Sequence, residues 1–582
     1  MPHSVSDRVF DLAVIGAGAA GLAGAVTADE LGLSVALLDA SARWGGQFYR
    51  HPGPGLGAAR PQALHHDWST FADLRRRVAA AGLTHLAGHQ VWGVTRDGDD
   101  SDGEGGGGGG GGGIWSVHAL TGPDVDPGEE RPVCVRARAV LLATGATERQ
   151  LPFPGWTVPG VVGAGGAQAM LKSHLVLPGR RIVVAGSGPL LLAVAASLAA
   201  AGARVPALVE ASGYGSYARH PRTLAANPDK LTESLAYGWA LLRHRVRVRT
   251  RSAITRVHGT DRVEAVSVCR LDRGWRPRPG TEHRIPCDAL AVGHGLAPQI
   301  ELATQLGCAT RRTPDGTHAL LLDALQETSV PGLWAAGETG GIGGVRLART
   351  EGELAARALA ARLRGRPALA DGARVRALRR RRTRLRAFAE AMATAHAPGS
   401  GWPHWLDDGT DVCRCEEVTA GRIREAVAEL GARDARSVKL LTRAGMGWCQ
   451  GRLCGTAVAC LAAQGDRVPP APERRPFAVP VPLAALARLT EQVPEDRESV
   501  TGPDPDALPR SGPGHRGRPP AGRVTQPPAP APPREGRPPR EGRPPREGHA
   551  PHEGHAPHEG HAPHEGHAPH EGHPPQKDGP SE

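Results

Sequence analysis

Apolar and polar positions fall into two separated blocks that share one layout. Residues 10–50 carry a short apolar run ending at Val14-Ile15, a glycine-rich turn and a helical stretch through Ala28. A second apolar run follows at Val35 to Leu38. The same order of strand, turn, helix and strand recurs over 181–210. Short buried strands alternating with helices predict parallel sheets, and two such blocks predict two doubly wound α/β domains. Residues 352–394 are rich in Ala and Leu and read as helical, and PFAVPVPLAALARL (476–489) reads as an apolar extended arm. The run Ile182 to Ala203 is long enough to be weighed as a membrane span. Its early Gly-Ser-Gly-Pro breaks it into strand, turn and helix instead, so no span is expected.

Each block holds a nucleotide fingerprint. Gly16, Gly18 and Gly21 form G-x-G-x-x-G directly after the first strand, and Asp39 ends the second. The first glycine permits the tight turn, the second lets backbone approach a pyrophosphate, and the third lets helix and strand pack closely. The acid holds the adenosine ribose. In the second block Gly186 and Gly188 keep the pattern, Leu191 replaces the third glycine, and Glu210 stands at the acid position. An acid there suits a free ribose hydroxyl, so NAD(H) or another adenine nucleotide is the expected ligand, with an unoccupied fold as the alternative.

Of nine cysteines, Cys134, Cys269, Cys287 and Cys308 are scattered and the other five lie between 413 and 460. The odd count without a disulfide-like framework, and the absence of a signal-peptide pattern, predict a cytoplasmic protein. Cys413, Cys415, Cys449 and Cys454 follow C-x-C-x33-C-x4-C. A [2Fe–2S] cluster takes four thiolates, two per iron, and Cys-x-Cys places two sulfurs on one tight loop. Zinc is the competing reading, although structural zinc pairs usually have wider spacing. Cys460 reads as a buried apolar residue. No Cys-x-x-Cys or Cys-x4-Cys pair lies in the nucleotide-binding blocks, so a disulfide relay is excluded there and electrons must leave by another route.

Further segments carry a family resemblance. VLLATGATERQLP, with Thr144 and Gly145, and the later Gly337-Glu338 in GLWAAGETGG resemble the additional FAD-contacting segments of glutathione-reductase-like flavoproteins. WGGQFYR (44–50), with Gly46 and Gln47, resembles the loop beside the flavin. In that family the acid at the Glu338 position meets the ribityl–phosphate region of FAD, and GHGLAPQ (293–299) resembles the turn leading back to the FAD domain. CRCEEVT…VKLLTRAGMGWCQGRLC is similar to the bacterioferritin-associated-ferredoxin-like (BFD-like) [2Fe–2S] domain. Together, over about 10–490, these segments resemble the alpha subunits of opine oxidase, hydrogen cyanide synthase and D-hydroxyproline dehydrogenase complexes.

The resemblance implies an α/β flavoprotein organised as follows. An FAD-binding domain is split over 9–150 and 286–365, with an NAD(P)-binding-like domain inserted at 151–285. A small helical [2Fe–2S] domain (405–465) and the arm (466–495) follow, while composition alone reads 366–404 as a basic helical linker and the low-complexity 496–582 as a disordered tail. The resemblance also implies two partners, an amine-oxidase-like FAD beta subunit together with a small ferredoxin-like subunit. A small amine or imino acid is then oxidised on the partner. No sequence motif nominates a catalytic base on this chain. The alternative function is a stand-alone NAD(P)H-dependent ferredoxin-type reductase.

Charge changes this picture little. The net charge of +11 reflects an Arg-rich surface, the basic segment RVRALRRRRTRLR (374–386) and a basic tail. The segment reads as a solvated helix face, with docking of an acidic partner or RNA as the alternative. It has no aromatic interleaving or nucleic-acid motif, so no nucleic acid is expected. Gly105 to Gly113 reads as a loop at a hairpin tip. From His549 to His573 a histidine recurs at every third residue. In polyproline II these imidazoles would form one row able to bind Ni or Zn, which raises a third class of function, metal handling, against simple repeat expansion.

Overall fold

The computed structural model describes residues 8–65, 67–97, 113–122, 130–366, 372–463 and 475–490. Most of the nine-glycine run and all of the His-rich tail lie outside the described residues, as does any metal site on that tail.

The first glycine fingerprint sits where its pattern requires. Strand Val9–Ile15 feeds helix Ala19–Glu30 and then strand Val35–Asp39, which pairs parallel with the first strand. Strands Thr84–Ala87, Val35–Asp39, Val9–Ile15 and Pro132–Leu142 lie side by side, and Leu333–Ala335 pairs parallel with the last of these. Val9–Ile15, Val35–Asp39, Leu333–Ala335 and the end of Pro132–Leu142 are mostly buried, which is why they read as apolar runs, whereas Thr84–Ala87 at the edge is half-buried. The edge is antiparallel: His89–Arg96 and Trp115–Thr121 pair with Arg96 opposite Trp115, so the glycine run joins two strands of a hairpin.

The second domain has a five-stranded, all-parallel sheet in the order Arg247–Thr250, Ala207–Glu210, Ile182–Gly186, Ala289–Gly293, Val161–Gly163. This moves one expected boundary. The sequence pattern puts Ala289–Gly293 in the returning FAD segment, yet the strand lies between two strands of the inserted domain. The chain re-enters the first domain only at Leu296–Pro298, which pairs with Ala146–Glu148. A short apolar strand at a domain junction does not reveal its sheet partners, so pattern alone misplaces it.

The Ala/Leu-rich region forms two helices, Val345–Leu363 and Ala373–Ala395. The basic segment lies on the second, and a solvated face describes only part of it. Val375, Leu378 and Leu385 are buried. Arg374 pairs with Glu353, while Arg382 and Arg386 both reach the fully buried Glu351. The arm is extended only at its start. Ala478 N–H donates to the Trp92 carbonyl, but Leu483–Thr490 is a helix, as its Ala and Leu content favours.

The cysteine-bearing module spans strands Asp411–Cys413 and Val418–Thr419 and helices Ala420–Ala428, Ala435–Thr442 and Gly455–Ala462. Its core is continuous with the second domain: Trp275, Leu271 and Ala253 pack in the same apolar cluster as Trp402, Trp405, Cys413 and Cys454. Trp275 and Trp405 stack at 5.8 Å, with the His294 ring 5.8 Å from Trp405. His294 is 2% exposed. Burial, and then the Arg149 guanidinium beside it, push its pKa down to about 3. A histidine depressed in the folded state holds its full stability above its ordinary value of about 6.5 and loses it as pH falls toward 3. His294→Gln is therefore expected to spare about 2 kcal/mol of the stability that wild type loses between about pH 7.5 and about pH 5. Thermal melts at the two pH values check this. Equal acid losses in both proteins would contradict it.

Candidate functional site

The first glycine turn is built to receive a phosphate. Gly16 has φ +107°, and a Cβ there would lie 2.4 Å from the Ala143 carbonyl oxygen. A Cβ on Gly21 would lie 1.8 Å from the Gly16 carbonyl oxygen. Only glycine fits either position. Helix Ala19–Glu30 starts at Gly18 with no side chain capping it, which leaves its N-terminus to an anion. Gly46 rests on this turn: a Cβ on it would lie 2.8 Å from Gly18 Cα. Gln47 is exposed, and its side-chain oxygen accepts from Arg50.

Asp39, half-buried, accepts from the Ala17 and Ser41 N–H groups, and burial raises its pKa against those hydrogen bonds. The two later segments close the same site. Thr144 Oγ1 donates to the Gln299 carbonyl at 2.7 Å, joining the outgoing and returning chains beside Gly145. Gly337 N–H donates to Glu351 at 3.1 Å. Glu338 accepts from Gly343 N–H at 2.6 Å and Gly344 N–H at 3.0 Å, so here it is tied to the turn that leads into helix Val345–Leu363. The glycine cradle, uncapped helix end and ribose-side acid all fit FAD. Gly21→Val is expected to destabilise the chain by on the order of 3 kcal/mol and to strip its flavin, read as lost absorbance after purification.

The second turn follows the plan of the first, with one donor moved by a residue, but is closed. A Cβ on Gly186 would lie 1.7 Å from the Gly293 carbonyl oxygen. Glu210 accepts from Gly188 N–H at 3.0 Å and Ser212 N–H at 2.9 Å, wiring similar to that at Asp39. Yet Glu210 is 0% exposed. His396, at the end of the basic helix, sets Nδ1 3.5 Å from it, and Tyr217 Oη lies 3.0 Å from His396 Nε2. Leu191, in place of the third glycine, is buried in the domain core.

The four predicted cysteines are brought together as two pairs, Cys413 with Cys454 and Cys415 with Cys449, with the pairs in mutual electrostatic contact. Cys413 and Cys454 are buried, whereas Cys415 is exposed. Backbone donors converge on the sulfurs. Gly445 N–H points at Cys413 Sγ at 3.4 Å. Burial raises the Cys449 pKa, but the N–H groups of Leu453, Gly451 and Arg452 help bring it below the usual thiol range. Among the described residues no group of three or more His, Cys, Asp and Glu side chains is closed up to hold a metal ion, the cysteines standing as two pairs. The two-plus-two arrangement with backbone donors fits a dinuclear iron–sulfur cluster. Cys460 is half-buried on the helix beyond and contacts Trp402.

Two functional groups escape sequence reasoning. Glu148 accepts from Gly165 and Gly166 N–H, fixing helix Ala164–His174 beside the returning Gly293. Arg386 bonds Glu351 and the Gly341 carbonyl, setting a cation next to the Gly337-Glu338 segment. Neither has a local motif, because each acts on residues far away in the chain.

Two dinucleotide folds joined to a four-cysteine cluster module define a flavin- and iron–sulfur-dependent oxidoreductase. Residues 10–360 match the family described as pyridine nucleotide-disulphide oxidoreductase, and 412–464 match the BFD-like [2Fe-2S] binding domain. The chain belongs to the pyridine nucleotide-disulphide oxidoreductase family. It is 33% identical to the A subunit of opine oxidase from Rhizobium meliloti, covering 83% of this chain and 99% of that protein. It is 31% identical to the HcnB subunit of hydrogen cyanide synthase from Pseudomonas protegens, covering 76% and 89%. The crystal structure of L-proline dehydrogenase from P. horikoshii shares the fold, with a TM-score of 0.57 at 21% identity over 83% of this chain and 80% of that one. No described helix is long and apolar enough to cross a membrane.

Proposed function

We propose that this chain is the electron-transferring alpha subunit of an amine or imino-acid dehydrogenase complex, of the opine- or D-hydroxyproline-oxidising kind. One observation carries the reading. An FAD-type cradle and a paired four-cysteine module share one chain, the module packs into the second nucleotide domain through one apolar cluster, and no disulfide pair stands beside the nucleotide sites among the described residues. A flavin supplies the exchange between two-electron and one-electron chemistry. The chain's own part is to bind and orient. Gly16, Gly18, Gly21 and Asp39 hold the dinucleotide end. Glu338, Gly337 and Arg386 shape the opposite side, and Cys413, Cys415, Cys449 and Cys454 ligate iron.

The relatives are named as subunits, which supports assembly with partner chains; the proposed partners are an amine-oxidase-like FAD beta subunit and a small ferredoxin-like chain. The surface agrees. Helix Pro228–Arg243 exposes Leu231, Leu235, Trp239 and Leu242 at helical spacing, beside the exposed Arg243, Arg245 and Arg247. An apolar stripe of this kind on a domain surface marks a protein contact. The decisive experiment is anaerobic purification with and without a co-expressed amine-oxidase-like chain. The reading expects flavin absorbance and a [2Fe–2S] signal in this chain alone, with amine oxidation only when the second chain is present. Colourless protein would end it.

The closed second site bears on the alternative, a free-standing NAD(P)H-dependent reductase. An incoming ribose must displace His396 and Tyr217 from Glu210. Anaerobic NADH is therefore expected to leave the flavin of purified protein oxidised over the time in which dithionite reduces it fully. Rapid bleaching by NADH would favour the alternative.

A further inference from the structure

We infer that the exposed edge of the cysteine module around Trp448 is the docking face for an acidic one-electron carrier protein. The inference deepens the proposed function and rests on a cluster at the four cysteines.

Cys413 and Cys454 are buried and Cys415 is exposed, so the cluster site has one solvent edge. Trp448 stands at that edge. It follows Gly447, whose added Cβ would lie 2.3 Å from Cys415 Cβ, and precedes Cys449, the partner of Cys415. Its side chain is nevertheless 82% exposed. An indole held at a redox centre without burying its surface has the composition of a contact hot spot.

The neighbouring surface extends the patch and gives it a sign. Gly447 also abuts Glu416, which receives Arg443 Nε at 2.8 Å. Arg443 ends helix Ala435–Thr442, whose exposed Leu440 and Arg436 lie one and two turns back on the same face. Leu440 is 68% exposed. Arg414, exposed between Cys413 and Cys415, adds a further cation. Arg443 is paired with Glu416 and Arg436 lies beside Asp434, yet Arg414, Arg433, Arg436, Lys439 and Arg443 outnumber Glu416, Glu417 and Asp434 around the apolar centre, so a partner with an acidic rim and an apolar middle is the complement. A second copy of this chain would set arginine against arginine. In the complex one electron leaves the carrier and enters the cluster, or the reverse, with no proton and no bond change.

The test uses the anaerobic holoprotein and a plant-type ferredoxin, an acidic carrier, with basic cytochrome c as the control. Both proteins are kept oxidised for titration calorimetry, so binding is read without turnover. Ferredoxin is expected to bind and to weaken tenfold or more with rising salt, whereas cytochrome c does not bind. Trp448→Ala is expected to weaken ferredoxin binding tenfold or more with the cluster spectrum retained. Leu440→Glu, away from the cysteine loop, is expected to do the same and covers the case in which the first variant loses its cluster. Wild-type affinity in the cluster-bearing Leu440→Glu variant, or binding of cytochrome c as tight as ferredoxin, overturns the inference while the cluster reading stands. Holoprotein without iron and sulfide overturns the reading beneath it.

Discussion

Replacing Cys413 by alanine is expected to abolish the [2Fe–2S] signal while leaving flavin absorbance in place. Cys413 is fully buried, receives Gly445 N–H and pairs with Cys454. Burial raises the Cys454 pKa, so without iron its thiol stays protonated. Three thiolates leave one iron a ligand short, and cluster binding is also folding energy for so small a module. The module should become protease-sensitive, and electron passage to a one-electron acceptor should fall at least about a hundredfold, since ligand loss removes the centre itself. The flavin site draws on none of these residues. Electron paramagnetic resonance beside the visible spectrum separates the two outcomes. A variant that keeps its cluster would show that Cys413 is not a ligand.

The second large effect is expected from Arg382→Met with Arg386→Met. Glu351 is 0% exposed and accepts from both guanidinium groups and from Gly337 N–H. Removing both cations leaves a buried carboxylate with a single backbone donor, a change worth about 3–5 kcal/mol. That is a large share of the stability of an ordinary domain. The loss falls where the Gly337-Glu338 segment is anchored, so FAD should also bind more weakly. Adding Glu351→Gln to the double variant should recover part of the stability by removing the stranded charge. Denaturant melts and flavin release check both expectations. A double variant as stable as wild type would mean that the basic helix is held by its apolar face alone.

Much of this arrangement is legible in the sequence because its signals are local. Gly16, Gly18, Gly21 and Asp39 lie within one strand–helix–strand unit, and Cys-x-Cys with Cys-x4-Cys announces its four candidate ligands by spacing. What escapes depends on distant chain segments meeting. Strand Ala289–Gly293 gives no sign of which sheet will take it. Glu351 reads as one more helical acid until Arg382 and Arg386 fold back on it. The arginine run reads as solvated because composition cannot say which side of a helix is covered. Likewise Glu210 carries the right residue at the right distance for a ribose, and nothing nearby announces that His396 will cover it.

That cover acts as insulation. Asp39 is only half-buried and Glu210 is sealed, so similar wiring serves as a socket in one domain and a plug in the other. On the proposed function, a flavin carried by such a chain would be shielded from the nicotinamide pool. It would fill and empty through docked proteins, so that assembly rather than metabolite concentration would set when current flows.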